Sequence, residues 1–126
     1  MSPDRRRRTG ALGERLAAEH LTRAGYEILS RNFRTRSGEI DLVVADARSI
    51  VFCEVKTRVA GTRSGPAGAL DAIGPKKRRQ LQRMAGHWLN SGVPHPHRDG
   101  LRFDAIAVTV SPGGRALALE HVRDAF

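Results

Sequence analysis

The 126-residue chain has little of what would anchor it to a membrane or staple it covalently. Its single cysteine, Cys53, excludes a disulfide within the chain. No apolar run approaches the roughly 20 residues that a membrane-spanning helix needs. The basic residues near the start are not followed by the apolar segment of a signal peptide. We therefore expect a cytoplasmic protein that folds around an ordinary hydrophobic core and has no membrane partner.

Acidic residues are also scarce relative to basic ones. The chain has 13 Asp and Glu against 22 Lys and Arg, which gives a net charge of +9. An excess of this size favours a polyanionic partner, with nucleic acid as the first choice and an anionic membrane as the second. Nineteen of the 22 basic residues are Arg, which genomic base composition can explain, so only the sign of the charge is informative.

The start of the chain is predicted to differ from the rest. Residues 1–9 carry Arg5 to Arg8 and nothing apolar, which predicts a disordered arm, either solvated or in contact with phosphates. Residues 10–126 are predicted to form one domain. Apolar residues at helical spacing predict a first helix over Gly10–Ala24, and Glu14 lies at the border of its apolar face.

A predicted β-hairpin is the most informative part of the sequence. Ile40–Ala45 and Ile50–Val55 are apolar and rich in β-branched residues, and four polar or small residues separate them. Folding the chain about those four residues sets Asp41 opposite Glu54. Because side chains alternate between faces with period two, Lys56 shares the face of Glu54.

This pairing predicts a metal site. Directly opposed side chains have Cβ atoms about 5 Å apart, a spacing at which Asp41 and Glu54 suit one divalent cation. The alternative is a half-exposed hairpin with charges on its solvated face. We favour the metal site because Val43 and Phe52, predicted to pair, share that face and make it partly apolar. With Lys56 beside it, the hairpin indicates a metal-dependent phosphodiesterase.

Periodicity predicts the remaining elements. Tyr26–Phe33 alternates weakly as a strand, Pro75 to about Asn90 has helical spacing, and Arg102–Val110 and Ala116–Val122 are strands. A strand–helix–strand crossover is right-handed, which makes the strand that carries Glu54 parallel to Arg102–Val110.

Basic side chains surround the predicted site. One pair lies in the turn after the first strand, where a plain solvated turn is the alternative. A second pair, Lys77 and Arg78, lies at the start of the second helix, on the side of that helix that is predicted to face the core. A fifth leads into a long loop rich in Gly, Ser and Pro, of a length that is usually functional or disordered. These predicted nucleic-acid contacts are Arg34, Arg36, Lys77, Arg78 and Arg58.

The order of elements, with an acid on the first helix and Asp…Glu-x-Lys on the hairpin, resembles the restriction-endonuclease-like, or PD-(D/E)xK, nuclease superfamily. More closely, the chain resembles the YraN family of small bacterial proteins. The matching segments are Gly13-Glu14, Gly38-Glu39-Ile40-Asp41-Leu42, Phe52-Cys53-Glu54-Val55-Lys56-Thr57-Arg58, Lys77, Arg102-Phe103-Asp104 and Asp124-Ala125-Phe126. The resemblance implies an α/β, single-domain, restriction-endonuclease-like core, with a mixed central sheet (αβββαβ plus a C-terminal strand) flanked by helices.

The resemblance also implies roles for matching residues. Asp41 and Glu54 would bind Mg²⁺ or Mn²⁺, the carbonyl of Val55 would be a further ligand, and Glu14 would complete the site. Lys56 would orient or deprotonate the attacking water. All of these would be catalytic residues or metal ligands.

Two residues of the match are expected to serve structure instead. Arg102 and Asp104 are interpreted as a local ion pair that takes no part in chemistry.

Two functions of different classes fit these residues. The first is a metal-dependent DNA endonuclease, structure-selective or non-specific, acting in repair, recombination or DNA uptake; DNA is preferred over RNA, which no residue excludes. The second is a nucleic-acid-binding module of the same fold that is inactive or needs a partner. The presence of all four site residues favours the first. A homodimer or a larger assembly would be needed to cut both strands.

Overall fold

The computed structural model describes residues 2–61 and 74–126. Within these residues the chain forms two helices and five strands, and the strands make one sheet in the order β1-β2-β3-β4-β5. The elements are α1 (Pro3–Arg23), β1 (Glu27–Thr35), β2 (Gly38–Ala45), β3 (Ser49–Val59), α2 (Pro75–Leu89), β4 (Gly100–Val110) and β5 (Ala116–Val122).

The sheet is mixed, as the sequence predicts. β3 and β4 are parallel along their whole length, and the other neighbouring strands are antiparallel. The parallel pair follows from α2, which lies in the connection between β3 and β4. Most of the long loop predicted in this connection lies outside the described residues. The architecture is that of a single mixed α/β domain, consistent with a restriction-endonuclease-like core.

The first helix begins earlier than predicted. α1 starts at Pro3 rather than at Gly10, so the Arg-rich segment expected to be a disordered arm is helical. The Ser2 side chain caps the helix by accepting a hydrogen bond from the amide of Arg5 at 3.2 Å. Pro3 suits the first helical position, and the charge of Asp4 complements the helix dipole. These start signals outweigh the lack of apolar residues, and the boundary moves from residue 10 to residue 3.

The two helices cover separate parts of the core. One cluster joins α1 to the sheet through Ala17, Ala18, Leu21, Leu42, Val44, Val51 and Cys53. The other joins α2 to the sheet through Leu81, Met84, Trp88, Val43, Ile50 and Phe52. From Leu42 to Ala45 in β2, and along β3, alternate residues thus serve opposite faces. The predicted pairing of Val43 with Phe52 is confirmed, and it fixes the register of the hairpin.

Neither of the described helices is long and apolar enough to cross a membrane.

Candidate metal centre

A glycine brings the first helix against the sheet. Gly13 is buried in α1, and a Cβ at this position would overlap the side chain of Thr57 on β3. Only glycine permits so close an approach between this helix and strand. The next residue, Glu14, is therefore carried to the edge of the buried face, as its position in the helical stripe predicts.

Three carboxylates meet at this point. One oxygen from each of Glu14, Glu39 and Asp41 lies within 4.8 Å of the other two. Asp41 is buried, whereas Glu14 and Glu39 are half-buried. Carboxylate oxygens are the ligands that Mg²⁺ and Mn²⁺ prefer, and a group this close can share one ion. The cluster therefore fits a divalent cation.

Glu39 was not among the predicted site residues. The sequence did contain a signal for it, because residues i and i+2 of a strand point to the same face and Glu39 stands two before Asp41. Its carboxylate also pairs with Arg34, whose Nε lies 2.8 Å from Oε2 of Glu39. Arg34 itself is largely exposed, so this pair links the acid cluster to the surrounding basic side chains.

The environment of Asp41 opposes its ionisation. Burial raises the pKa of Asp41 to about 8, and the nearby charge of Glu54 acts in the same direction. The amide of Val55 donates a hydrogen bond to Oδ2 of Asp41 at 2.7 Å, which acts the other way but does not offset the burial. Val55 thus contacts the site through its amide, and its carbonyl as a metal ligand stays a prediction. A bound cation would favour the ionised carboxylate.

Glu14 has a milder form of the same environment. Burial raises the pKa of Glu14, while a hydrogen bond with the side chain of Asn32 acts against that shift. Asn32 adopts a left-handed φ of 52°, a conformation that asparagine tolerates better than most residues. It lies in β1 between the residues paired with Leu42 and Ile40, which is the register position next to Asp41. Asn32 is a second site residue that sequence reasoning missed.

Glu54 lies beside two ammonium groups. Its Oε1 is 3.2 Å from Nζ of Lys56 and 3.4 Å from Nζ of Lys77. The prediction that Glu54 and Lys56 share a face is therefore confirmed. The β2–β3 ladder ends at Leu42 and Cys53, one residue short of the predicted pairing between Asp41 and Glu54. Glu54 is buried and acts on Asp41 through its charge, but it is not one of the three clustered carboxylates.

The predicted nucleic-acid contacts divide by orientation. Lys77 points inward to Glu54, as predicted, whereas Arg78 is exposed, contrary to the prediction that it lies on the inward stripe. Arg78 belongs to the first turn of α2, at the margin of the apolar stripe and before the first buried residue of the helix, Leu81. Arg36 is exposed at the β1–β2 turn.

Arg58 is the least satisfied of these basic residues. It lies near the end of β3, on the same face as Lys56 by alternation. Its Nε is buried, yet this atom has no hydrogen-bond partner among the parts of the chain that the structure describes. Buried N–H groups normally find a partner. The contact of Arg58 with nucleic acid stays a prediction.

Known proteins resemble the chain over most of its length. Residues 13–108, which include every predicted site residue, match the uncharacterised protein family UPF0102. The chain is 48% identical over 118 residues to a UPF0102 protein of Frankia casuarinae, covering 93% of this chain and 94% of that protein. It is 47% identical over 116 residues to one of Kineococcus radiotolerans, covering 90% and 88%. A UPF0102 protein of Symbiobacterium thermophilum is 44% identical over 122 residues, covering 95% and 97%. The resemblance predicted from the motifs is confirmed, and the chain belongs to the UPF0102, or YraN, family.

Proposed function

We propose that this protein is a metal-dependent endonuclease that hydrolyses phosphodiester bonds in DNA with little sequence preference. One observation carries the proposal: the buried carboxylate of Asp41 lies within 4.8 Å of Glu14 and Glu39 in a chain of net charge +9. Acids grouped in a strongly basic protein are an arrangement that suits a cation and a polyanionic substrate together.

The acids would act by holding the cation. Asp41, Glu14 and Glu39 offer carboxylate oxygens, and the charge of Glu54 adds to the local negative potential. When bound, Mg²⁺ or Mn²⁺ would supply an activated water and neutralise charge at the attacked phosphorus. Without a cation, burial and mutual repulsion favour the protonated form of Asp41.

The lysines would act on the substrate. Lys56, whose Nζ lies 3.2 Å from Oε1 of Glu54, would orient the attacking water and stabilise charge on the phosphate. Lys77 approaches the same carboxylate from α2 and would contact a neighbouring phosphate oxygen. Glu54 thereby holds two lysine ammonium groups, one from β3 and one from α2.

A second candidate function is a nucleic-acid-binding module without chemistry. It is favoured by the contacts of Glu54, because Lys56 and Lys77 together can balance the buried carboxylate without a metal. Calorimetric titration with Mn²⁺ separates the two candidates. A nuclease binds the ion through Asp41, and a module in which the acids serve structure alone does not.

Cleavage of a panel of nucleic acids tests the proposal. Supercoiled plasmid, single strands, flaps, four-way junctions and RNA would be incubated with the pure protein and Mg²⁺, Mn²⁺ or EDTA. Asp41→Asn is expected to lose cleavage. Asp99→Asn, which removes a carboxylate whose side chain is 100% exposed, is expected to keep it. Cleavage that survives both Asp41→Asn and EDTA would overturn the proposal.

A further inference from the structure

A cleft with basic walls lies beside the amino-terminal turns of α1. It has a volume of about 520 Å³ and opens between this part of the helix and the β4–β5 turn. The valines at the ends of β3 and β4 contribute apolar surface to it. The side chains and backbone that define it include Arg5, Arg8, Val59, Val110, Ser111 and Gly113.

The composition of this cleft favours an anion. No acidic side chain lines it, and neither Arg5 nor Arg8 forms an ion pair within residues 2–61 and 74–126. The two residues are three apart in a continuous helix, so their side chains emerge on one side of it. Gly113 and Gly114 on the opposite wall leave the backbone of the turn accessible. Two unpaired guanidinium groups beside small residues suit phosphate oxygens.

The helix fixes this cleft relative to the acid cluster. Arg8 and Glu14 are six residues apart, which is a rise of about 9 Å along α1 and a rotation of about 120° around its axis. The body of the helix, roughly 10 Å across, therefore separates the two sites. A single strand of nucleic acid lying at Glu14 would have to wrap around α1 to reach Arg8. A duplex presents a second backbone across a groove about 12 Å wide, which matches this separation better.

We infer that the Arg5–Arg8 cleft binds the phosphodiester backbone of a second nucleic-acid strand, opposite the strand that lies at the acid cluster. This inference rests on the proposed function for the position of the first strand. It assigns a role to the helical start of α1 and makes duplex or branched nucleic acid the preferred partner. The contact is electrostatic and independent of base sequence.

Binding measurements on the full chain test the inference without cleavage. Fluorescence anisotropy would follow a labelled duplex and a labelled single strand in EDTA, over a range of salt concentrations. The test variant is Arg5→Gln/Arg8→Gln. The control is Arg48→Gln/Arg123→Gln, which removes the same charge from two exposed positions at the opposite end of the sheet.

The test variant should bind the duplex roughly tenfold or more weakly, with the slope of log affinity against log salt reduced by up to about 2. Its affinity for the single strand should change less than about threefold, as should both affinities of the control. Equal weakening by both variants would mean that net charge alone matters, and would overturn the inference. So would equal weakening on duplex and single strand. If the expected pattern appears but wild type cleaves nothing, the cleft stands and the nuclease proposal fails.

Discussion

Two buried aspartates of the same sheet have opposite environments. Asp104, on β4, is fully buried and contacts three groups: Nε of Arg102 at 2.9 Å, Nε2 of His121 at 2.7 Å and the amide of Asp124 at 2.9 Å. Burial alone would raise the pKa of Asp104, but the bonds from His121 and Arg102 outweigh it and hold that pKa below its usual value. Asp41 is also buried, and its pKa is raised to about 8.

The difference lies in the partners that the fold supplies. Asp104 belongs to a network in which Arg102 also donates to Tyr26 at 2.6 Å and pairs with Asp46 at 3.2 Å. The network ties the end of the chain to β4, to Tyr26 just before β1 and to the β2–β3 turn, and it confirms the expected ion pair between Arg102 and Asp104. Asp41 has one amide donor and otherwise faces acids. Because buried carboxylates are normally matched by several donors or a counter-charge, the aspartate that faces other acids is the candidate for function.

Removing the satisfied carboxylate should have the largest effect on stability. Asp104→Asn removes the buried charge partner of Arg102, which is only 17% exposed and keeps only the partly exposed Asp46. Breaking a buried pair in this way costs about 3–5 kcal/mol, and urea unfolding would measure it. A loss of under about 1 kcal/mol would show that the network contributes little net stability, and the contrast with Asp41 would collapse.

Removing the carboxylate that faces other acids should act in the opposite direction. Asp41→Asn removes a buried carboxylate that neighbouring acids repel. It should therefore raise the free energy of unfolding in EDTA by about 1–3 kcal/mol. Mn²⁺ should raise the melting temperature of wild type but not that of Asp41→Asn, because the ligand stabilises only the state that binds it. A destabilised Asp41→Asn in EDTA would place Asp41 with Asp104 among the structural residues.

The helix contact that positions Glu14 can be tested against a matched glycine. Gly13→Ala overlaps Thr57 and should cost about 1–3 kcal/mol, with weaker Mn²⁺ binding as α1 shifts. Thr57→Ala in the same chain should recover part of both losses. Gly10→Ala is the control, because nothing lies within 4 Å of a Cβ there. That control should gain up to about 1 kcal/mol from helix propensity. Equal effects of the two alanine substitutions on stability and on Mn²⁺ binding would show that Gly13 does not position Glu14.

The sheet and the hairpin site were predictable because they depend on local periodicity. The alternation of β2 and β3 sets their register, so Asp41 and Glu54 fall near each other from sequence alone. The observed β5 agrees with the predicted Ala116–Val122, since a turn signal precedes a β-rich run. The start of α1 could not be predicted from periodicity, because its first turns bury nothing and only the cap at Ser2 and the proline after it indicate a helix.

Other contacts of the buried acids could not be predicted in the same way. His121 meets Asp104 across the β4–β5 pair, where a register shift at Thr109 and Val110 breaks simple alternation. Asn32 reaches Glu14 through an unusual backbone conformation that no spacing rule indicates. The sequence motifs thus assign different roles to Asp41 and Asp104, but the donors around one and the acids around the other are visible only in the three-dimensional contacts.

The pH dependence of stability should carry opposite signs for the two aspartates. Asp104 has a lowered pKa when folded, so its contribution is complete above the usual aspartate value of 3.8 and is lost as pH falls below it. Asp41 has a raised pKa when folded, about 8 against 3.8, so folded protein without metal holds a proton that unfolded protein releases. Between those values the stability of wild type relative to Asp41→Asn should fall as pH rises, by at most about 1.4 kcal/mol per pH unit.

Urea unfolding of wild type and Asp41→Asn in EDTA, at intervals from pH 5 to pH 8, would measure this slope. Asp104 is already ionised in both states over that range, so it contributes a constant and does not obscure the signal. A flat difference between the two proteins would mean that water or a rearrangement already satisfies Asp41. The two carboxylates would then differ in their neighbours but not in their energetics, and the argument for a cation at Asp41 would lose its electrostatic basis.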